Sequence, residues 1–394
     1  MEIQDLVKRF AGHSGVSAMR HVWNDEAVRT IHLKGLAASA APMLFSALAL
    51  ADEPWRVPVA LFVLNDLEEA GYFYHDLTQV LGEGQVLFLP SSYKRAIKYG
   101  QKDSANEVLR TEVLTRLTEA SKLTIDKVAF EREQRLLASS AEHSDFNEVN
   151  SQLTIGSAKR QIEAASMGEN NCQLSIVNCL LYIVSYPDAL AELVVSRDTL
   201  NDRSVRLAVG DTVEIPQMEA TLVGEGFERV DYVYEPGQFA VRGSIIDVFS
   251  YASEFPYRID LFGDEIDSIR TFEIETQLSR DKVQQVSIVP NFEGGAGDEV
   301  SFFDFLPKGS ALAFQDYAWV HERIEQLNEE GFSQQAVQAM DEATDCVLHL
   351  LDATDFLRKT TDFRRIEFGA KASSAVHATV NFDTSPQPLF HKNF

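Results

Sequence analysis

The loop GLAASAAP, Gly35 to Pro42, follows a short apolar run, IHL, and has the position and length of a phosphate cradle. Such a loop needs the pattern G-x-x-x-x-G-K-[ST]. Its glycines free backbone N–H groups to hold phosphate, its Lys neutralises the terminal phosphates, and its hydroxyl ligates Mg²⁺. Gly35 stands at the first glycine, but Ala40, Ala41 and Pro42 occupy the second glycine, the lysine and the hydroxyl positions. By spacing alone the segment reads as a strand-to-helix turn of small residues, with Pro42 in the first turn where it is tolerated. The acid that would hold Mg²⁺ is best sought in LAFQDYAWV (312–320), where Gln315 takes the Asp position and Asp316 follows. A glutamine cannot neutralise Mg²⁺, so ATP hydrolysis by this chain is not expected. No Ser-His-Asp, Cys-His or paired-carboxylate arrangement stands out, and the nine histidines include no HExxH pair. Cys172, Cys179 and Cys346 form no CxxC pair and read as free thiols in a reducing cytoplasm.

Composition narrows the partners. Sixty acidic residues against 35 basic ones give a formal charge of −25, which repels nucleic acid unless basic residues gather locally. One such gathering, Lys94, Arg95, Lys98 and Lys102, reads first as a solvated loop and second as a phosphate contact. Direct DNA binding is therefore disfavoured, and a basic patch on a protein is the more natural target. The start MEIQDLVKRF is an amphipathic helix, not a signal peptide. No apolar run approaches the roughly 18 residues of a membrane span.

Strand and helix alternate through the first half, which predicts a parallel α/β sheet. Residues 1–30 read as helical. Strands are expected at IHL, within VPVALFVLND (57–66), within QVLFLPSS (85–92) and at the start of CLLYIVSYPDALAELV (179–194). The helix ANEVLRTEVLTRL (105–117) carries Val108, Leu109, Val113, Leu114 and Leu117 on one side. Between them, residues 120–175 are rich in Ser, Ala, Glu, Asn and Gln and read as a flexible insertion. From Val205 a second domain begins, with a helix expected at Gln217–Gly226. Residues 301–328 resume the α/β pattern, with a short helix, a strand at Ala311–Phe314 and a further helix. Residues 333–360 read as helical, and 366–370 and 377–390 as late strand and loop. The uncapped end at Phe394 suggests part of a longer protein.

The best-patterned stretch is Val230 to Ser279. Phe239 and Val241, then Ile245, Val248 and Phe249, mark one strand or a bulged pair. Tyr257, Ile259 and Leu261 alternate with Arg258, Asp260 and Phe262, and Ile266, Ile269 and Phe272 continue the pattern. Pro236-Gly237 opens the first strand and Gly263-Asp264 turns a later pair. The strings PGQFAVRGSIIDVF, PYRIDLFGDEIDSIRTFE and TQLS resemble the second domain shared by UvrB and the transcription-repair coupling factors (Mfd). IVSYPDAL, ANEVLRTEVL and DTSPQPLFHKNF extend the likeness over most of the chain apart from residues 120–175.

The resemblance implies a degenerate RecA/helicase-like α/β domain (1–200), a UvrA-binding α+β domain (201–290) and a return to α/β (291–394). It makes the loop at Gly35, Ala40, Ala41 and Pro42 look like a phosphate loop that has lost its function. The tyrosine-rich DNA hairpin of UvrB would follow Leu89, but Tyr93 and Tyr99 are the only aromatics there and the segment is too short. The implied function is that of a cytoplasmic adaptor in transcription-coupled nucleotide excision repair, recruiting UvrA to stalled RNA polymerase. No cofactor is expected for this chain; ATP and Mg²⁺ would serve a motor domain outside it, as would contacts to polymerase and DNA. The alternatives are a UvrB-like ATP-dependent damage-binding enzyme and a partial chain broken by the insertion.

The family's UvrA interface falls on Arg242 in AVRGS, Arg258 in PYRID and Phe262 in DLFGDE. Arginine can make paired hydrogen bonds to carboxylates, and an exposed Phe can anchor a contact. The competing structural reading packs Phe262 in the core and pairs the arginines with Asp260, Asp264 or Glu265.

Overall fold

The computed structural model describes residues 3–51, 55, 57–82, 84–92, 105–121, 181–292, 298–330, 350–373 and 376–385. The expected insertion, the basic cluster at 94–102, and Tyr93 and Tyr99 lie outside them, apart from the end of a helix that runs over 105–121. Among the described residues no helix is long and apolar enough to cross a membrane.

A seven-stranded parallel sheet forms the first unit. Its order is Ala378–Asn381, Thr30–Lys34, Arg364–Glu367, Ala311–Phe314, Val59–Val63, Leu181–Ser185 and Val86–Phe88. Parallel strands covered by helices on both faces must be apolar throughout. The strand VALFV meets that demand: Val59, Leu61 and Val63 join one buried cluster, and Ala60 and Phe62 the other. Helices Ser14–Asn24, Ala40–Ala49 and Leu67–Leu81 supply the side with Ala60 and Phe62. The helix at 105–121 and helices Tyr317–Glu330 and Ala353–Thr361 supply the other. The expected parallel α/β sheet is borne out, with helix Leu67–Leu81 capped by Asp66, whose carboxylate accepts from the Glu69 N–H at 2.9 Å. The expected single helical region at 1–30 is two helices, broken at Gly12 and His13.

The second unit lies in the chain between Leu181–Ser185 and Ala311–Phe314. Its six-stranded sheet runs Ser279–Val283, Glu265–Phe272, Tyr257–Phe262, Ile245–Val248, Gln238–Arg242 and Glu228–Arg229, antiparallel except for the last pair. Of the two readings of Phe239 to Phe249, one strand or a bulged pair, the structure has a pair, without the bulge: strands Gln238–Arg242 and Ile245–Val248 form a tight hairpin turned by Gly243-Ser244, where Gly243 holds φ +64°. Phe239, Ile246, Val248, Ile259, Leu261, Ile266 and Ile269 pack with helix Ile215–Gly224, through Met218 and Leu222, as the core of this unit. The helix starts two residues earlier than its sequence suggests because Pro216 sits in its first turn.

Candidate functional site

The opposite face of the six-stranded sheet carries the charged residues. Cross-strand register sets Ala240 beside Asp247, Asp247 beside Arg258, and Arg258 beside Arg270. Asp247 is fully buried. Its carboxylate accepts two parallel hydrogen bonds from Arg258, Nε to Oδ1 at 2.8 Å and Nη2 to Oδ2 at 2.9 Å. Arg242 donates to the same Oδ2 from its Nη2. One buried carboxylate therefore ties together two arginines from the strands on either side of its own. The Asp247 hydrogen bonds also push the Arg258 pKa further above its already high value.

Arg258 is fully committed. Its Nη1 donates to the Gln277 carbonyl at 3.1 Å, its guanidinium lies 4.5 Å from the Phe272 ring centroid, and its side chain is 16% exposed. Arg242 is more open. Its Nη1 donates to the Asp231 carbonyl at 3.1 Å, its guanidinium stacks 4.9 Å from the Tyr232 ring, and its side chain is 36% exposed. The arginines thus do pair internally, but with Asp247, not with Asp260, Asp264 or Glu265. Asp260 is met by Arg270 at 3.8 Å instead. Asp247 escapes a reading by residue type because SIIDVF places it on the non-core side of a strand, where an acid is ordinary.

Phe262 does not pack in the core; it is 84% exposed. It ends the strand Tyr257–Phe262 and faces Glu265 across the two-residue turn Gly263-Asp264, with Gly263 at φ +68°. A strap over residues 210–213 holds this hairpin. The Val213 N–H donates to the Asp264 carbonyl at 2.7 Å, the Gly210 N–H to the Ile266 carbonyl at 2.9 Å, and the Ile266 N–H to the Asp211 carbonyl at 2.8 Å.

Residues 205–293 match the family described as the UvrB interaction domain. The chain is also 40% identical over 95 residues, 24% of its length, to the transcription-repair-coupling factor of Haemophilus influenzae. It is 29% identical over 232 residues, 57% of its length, to those of Staphylococcus aureus strains RF122 and USA300. The chain covers about a fifth or less of the length of these relatives, 8% of the first and 19% of the others. The likeness to the UvrB-like N-terminal module of the transcription-repair coupling family, read from PGQFAVRGSIIDVF, is borne out.

The loop after Thr30–Lys34 makes its own contacts. Gly35 holds φ +87°, and an added Cβ would lie 2.1 Å from the Phe382 carbonyl oxygen. Thr384 bridges the loop, its hydroxyl donating to the Gly35 carbonyl at 2.7 Å and accepting from the Ala37 N–H at 2.8 Å. Ala40, Ala41 and Pro42 form the first turn of helix Ala40–Ala49, and Ala41 and Pro42 are buried. Gln315 accepts from the Asn65 N–H at 3.2 Å, and Asp316 accepts from the Trp319 N–H at 3.0 Å in the first turn of its helix. Gly35→Ala is expected to lower stability by about 2 kcal/mol, combining left-handed strain with displacement of the Phe382 backbone. Chemical denaturation checks this; an unchanged midpoint would mean that the strand Ala378–Asn381 does not constrain the loop.

Proposed function

We propose that this chain is an adaptor of transcription-coupled nucleotide excision repair that recruits UvrA through the charged face and hairpin tip of its UvrB interaction domain. The observation that carries the reading is Phe262, a large aromatic held 84% exposed on a strapped hairpin, where a solvent-facing strand end would ordinarily be polar. Arg242, the more exposed of the two arginines that share Asp247, is the cation placed to meet a partner carboxylate. Arg258 acts as a positioning residue that orients Arg242 through Asp247. Contacts to RNA polymerase and DNA, and the ATP-driven motor, belong in this reading to other parts of the longer relatives. No nucleotide chemistry is assigned to the loop at 35–42. It lacks the lysine and the hydroxyl, and Thr384 takes the Ala37 N–H, which also disfavours a UvrB-like ATP-dependent enzyme.

Capture of purified UvrA on the immobilised chain tests the proposal. Wild type is expected to retain UvrA, and Arg242→Ala to weaken retention about tenfold, the loss typical of one interfacial charged hydrogen bond. Absence of UvrA binding by the folded wild-type chain would refute it.

A further inference from the structure

The surface around Phe262 differs in charge from the surface around Arg242. Asp264, Glu265 and Asp267 follow Phe262 directly, and Asp211 comes from the strap beneath the turn. All four are exposed, and among the described residues Asp264, Glu265 and Asp267 make no ion pair. The positive end lies close by. Arg242 pairs with Ile245, Ile245 with Asp260, and Phe262 is two residues beyond Asp260. Ideal sheet spacing puts the two Cα positions roughly 12 Å apart, well inside one standard protein footprint.

We infer that Phe262 is an aromatic anchor with an acidic collar, and that the partner receives it in an apolar pocket rimmed by lysine or arginine side chains. This rests on UvrA being the partner, and specifies the chemistry of its docking surface. Charge complementarity argues for that occupant. A pocket with an acidic or neutral rim would leave three carboxylates facing like charge or stripped of water around the ring. Together, the partly exposed guanidinium of Arg242, which shares one carboxylate with Arg258, and a negative collar at the tip form a two-pole pattern. A partner with the opposite poles can dock in one orientation, and the reverse orientation places like charges together. The collar groups lie beside the anchor and need not be buried. Their contribution then falls on the association rate and is screened by salt, whereas the ring contributes to residence time.

The test measures association and dissociation of UvrA with the chain at about 50 mM and about 500 mM salt, a range over which the Debye length falls from roughly 14 Å to roughly 4 Å. The double variant Asp264→Lys/Glu265→Lys is expected to associate about tenfold more slowly at low salt, with the gap closing at high salt. The neutral pair Asp264→Asn/Glu265→Gln should fall between. Thermal unfolding of both variants should match wild type, since both side chains are exposed. If UvrA binds wild type and charge reversal leaves the association rate unchanged, the collar inference is overturned while the choice of partner stands. If folded wild type binds no UvrA at all, the partner is wrong and the inference falls with it.

Discussion

Asp247→Ala is expected to destabilise the domain at 205–293 by about 3–5 kcal/mol, a large share of the roughly 5–15 kcal/mol that holds an ordinary domain folded. The magnitude follows from what is left behind. Asp247 is buried and accepts three guanidinium hydrogen bonds. Its removal leaves Arg258, only 16% exposed, with one backbone partner and only the weaker field of Asp260 in place of a hydrogen-bonded counter-charge. Breaking a buried ion pair is far more damaging than failing to make a surface one, because an uncompensated charge stays in a poorly hydrated place. Arg242 alone is a weaker test, since it is more open and Asp247 would keep the paired bonds from Arg258. Its loss should destabilise by about 1–2 kcal/mol. Asp247→Asn should lie between Asp247→Ala and wild type, because the amide keeps one acceptor oxygen but loses the charge. Urea unfolding followed by circular dichroism orders these variants. A drop of less than about 1 kcal/mol for Asp247→Ala would show that the trio is only a surface arrangement. The same ranking warns against reading Arg258→Ala as a binding variant, since weaker UvrA capture by that protein would report a damaged sheet as readily as a lost contact.

The parts of the fold that the sequence reveals are those set by local periodicity. VALFV followed by Asp66 and an amphipathic run defines a buried strand, a capped helix and their join, and the structure places them there. LYIVS and Pro187 do the same. Strand partners are another matter. Thr30–Lys34 lies between Ala378–Asn381 and Arg364–Glu367, more than 300 residues away along the chain, and nothing local in IHL names those neighbours. The role of Gly35 depends on that pairing. By type it reads as a relic of a phosphate loop; in the fold it is also the residue that leaves space for the Phe382 carbonyl. Asp247 is the equivalent case in the candidate site. Alternation correctly puts it opposite Ile246 and Val248, but does not show that Arg258 and Arg242 from two flanking strands close over it. Phe262 is a different case. By residue type it reads as a core residue, and only the resemblance puts it at an interface; in the fold it ends its strand 84% exposed.

That outward ring is the basis of the second large effect. Phe262→Ala is expected to leave the unfolding midpoint of the chain within experimental error and to weaken UvrA binding by about 2–3 kcal/mol, or roughly 30- to 150-fold. Both halves come from exposure. A side chain 84% exposed contributes almost no burial to the folded chain, so truncating it removes little from the native state. Burying the same ring against a partner would remove most of its apolar area from water, at about 25 cal/mol per Å². The strapped turn adds to this. With Val213, Gly210 and Ile266 fixing the hairpin, little backbone freedom is lost on docking, so more of the burial appears as affinity. Phe262→Leu should keep part of the effect, because it retains an apolar body without the ring edge. Phe262→Asp should be worse than Ala, since it places a charge in the pocket as well as removing the anchor. Calorimetric titration of UvrA into each variant gives the ranking. Equal affinity for wild type and Phe262→Ala would mean that the ring stays in water in the complex, and the docking surface would then have to be sought around Arg242 and Tyr232 instead.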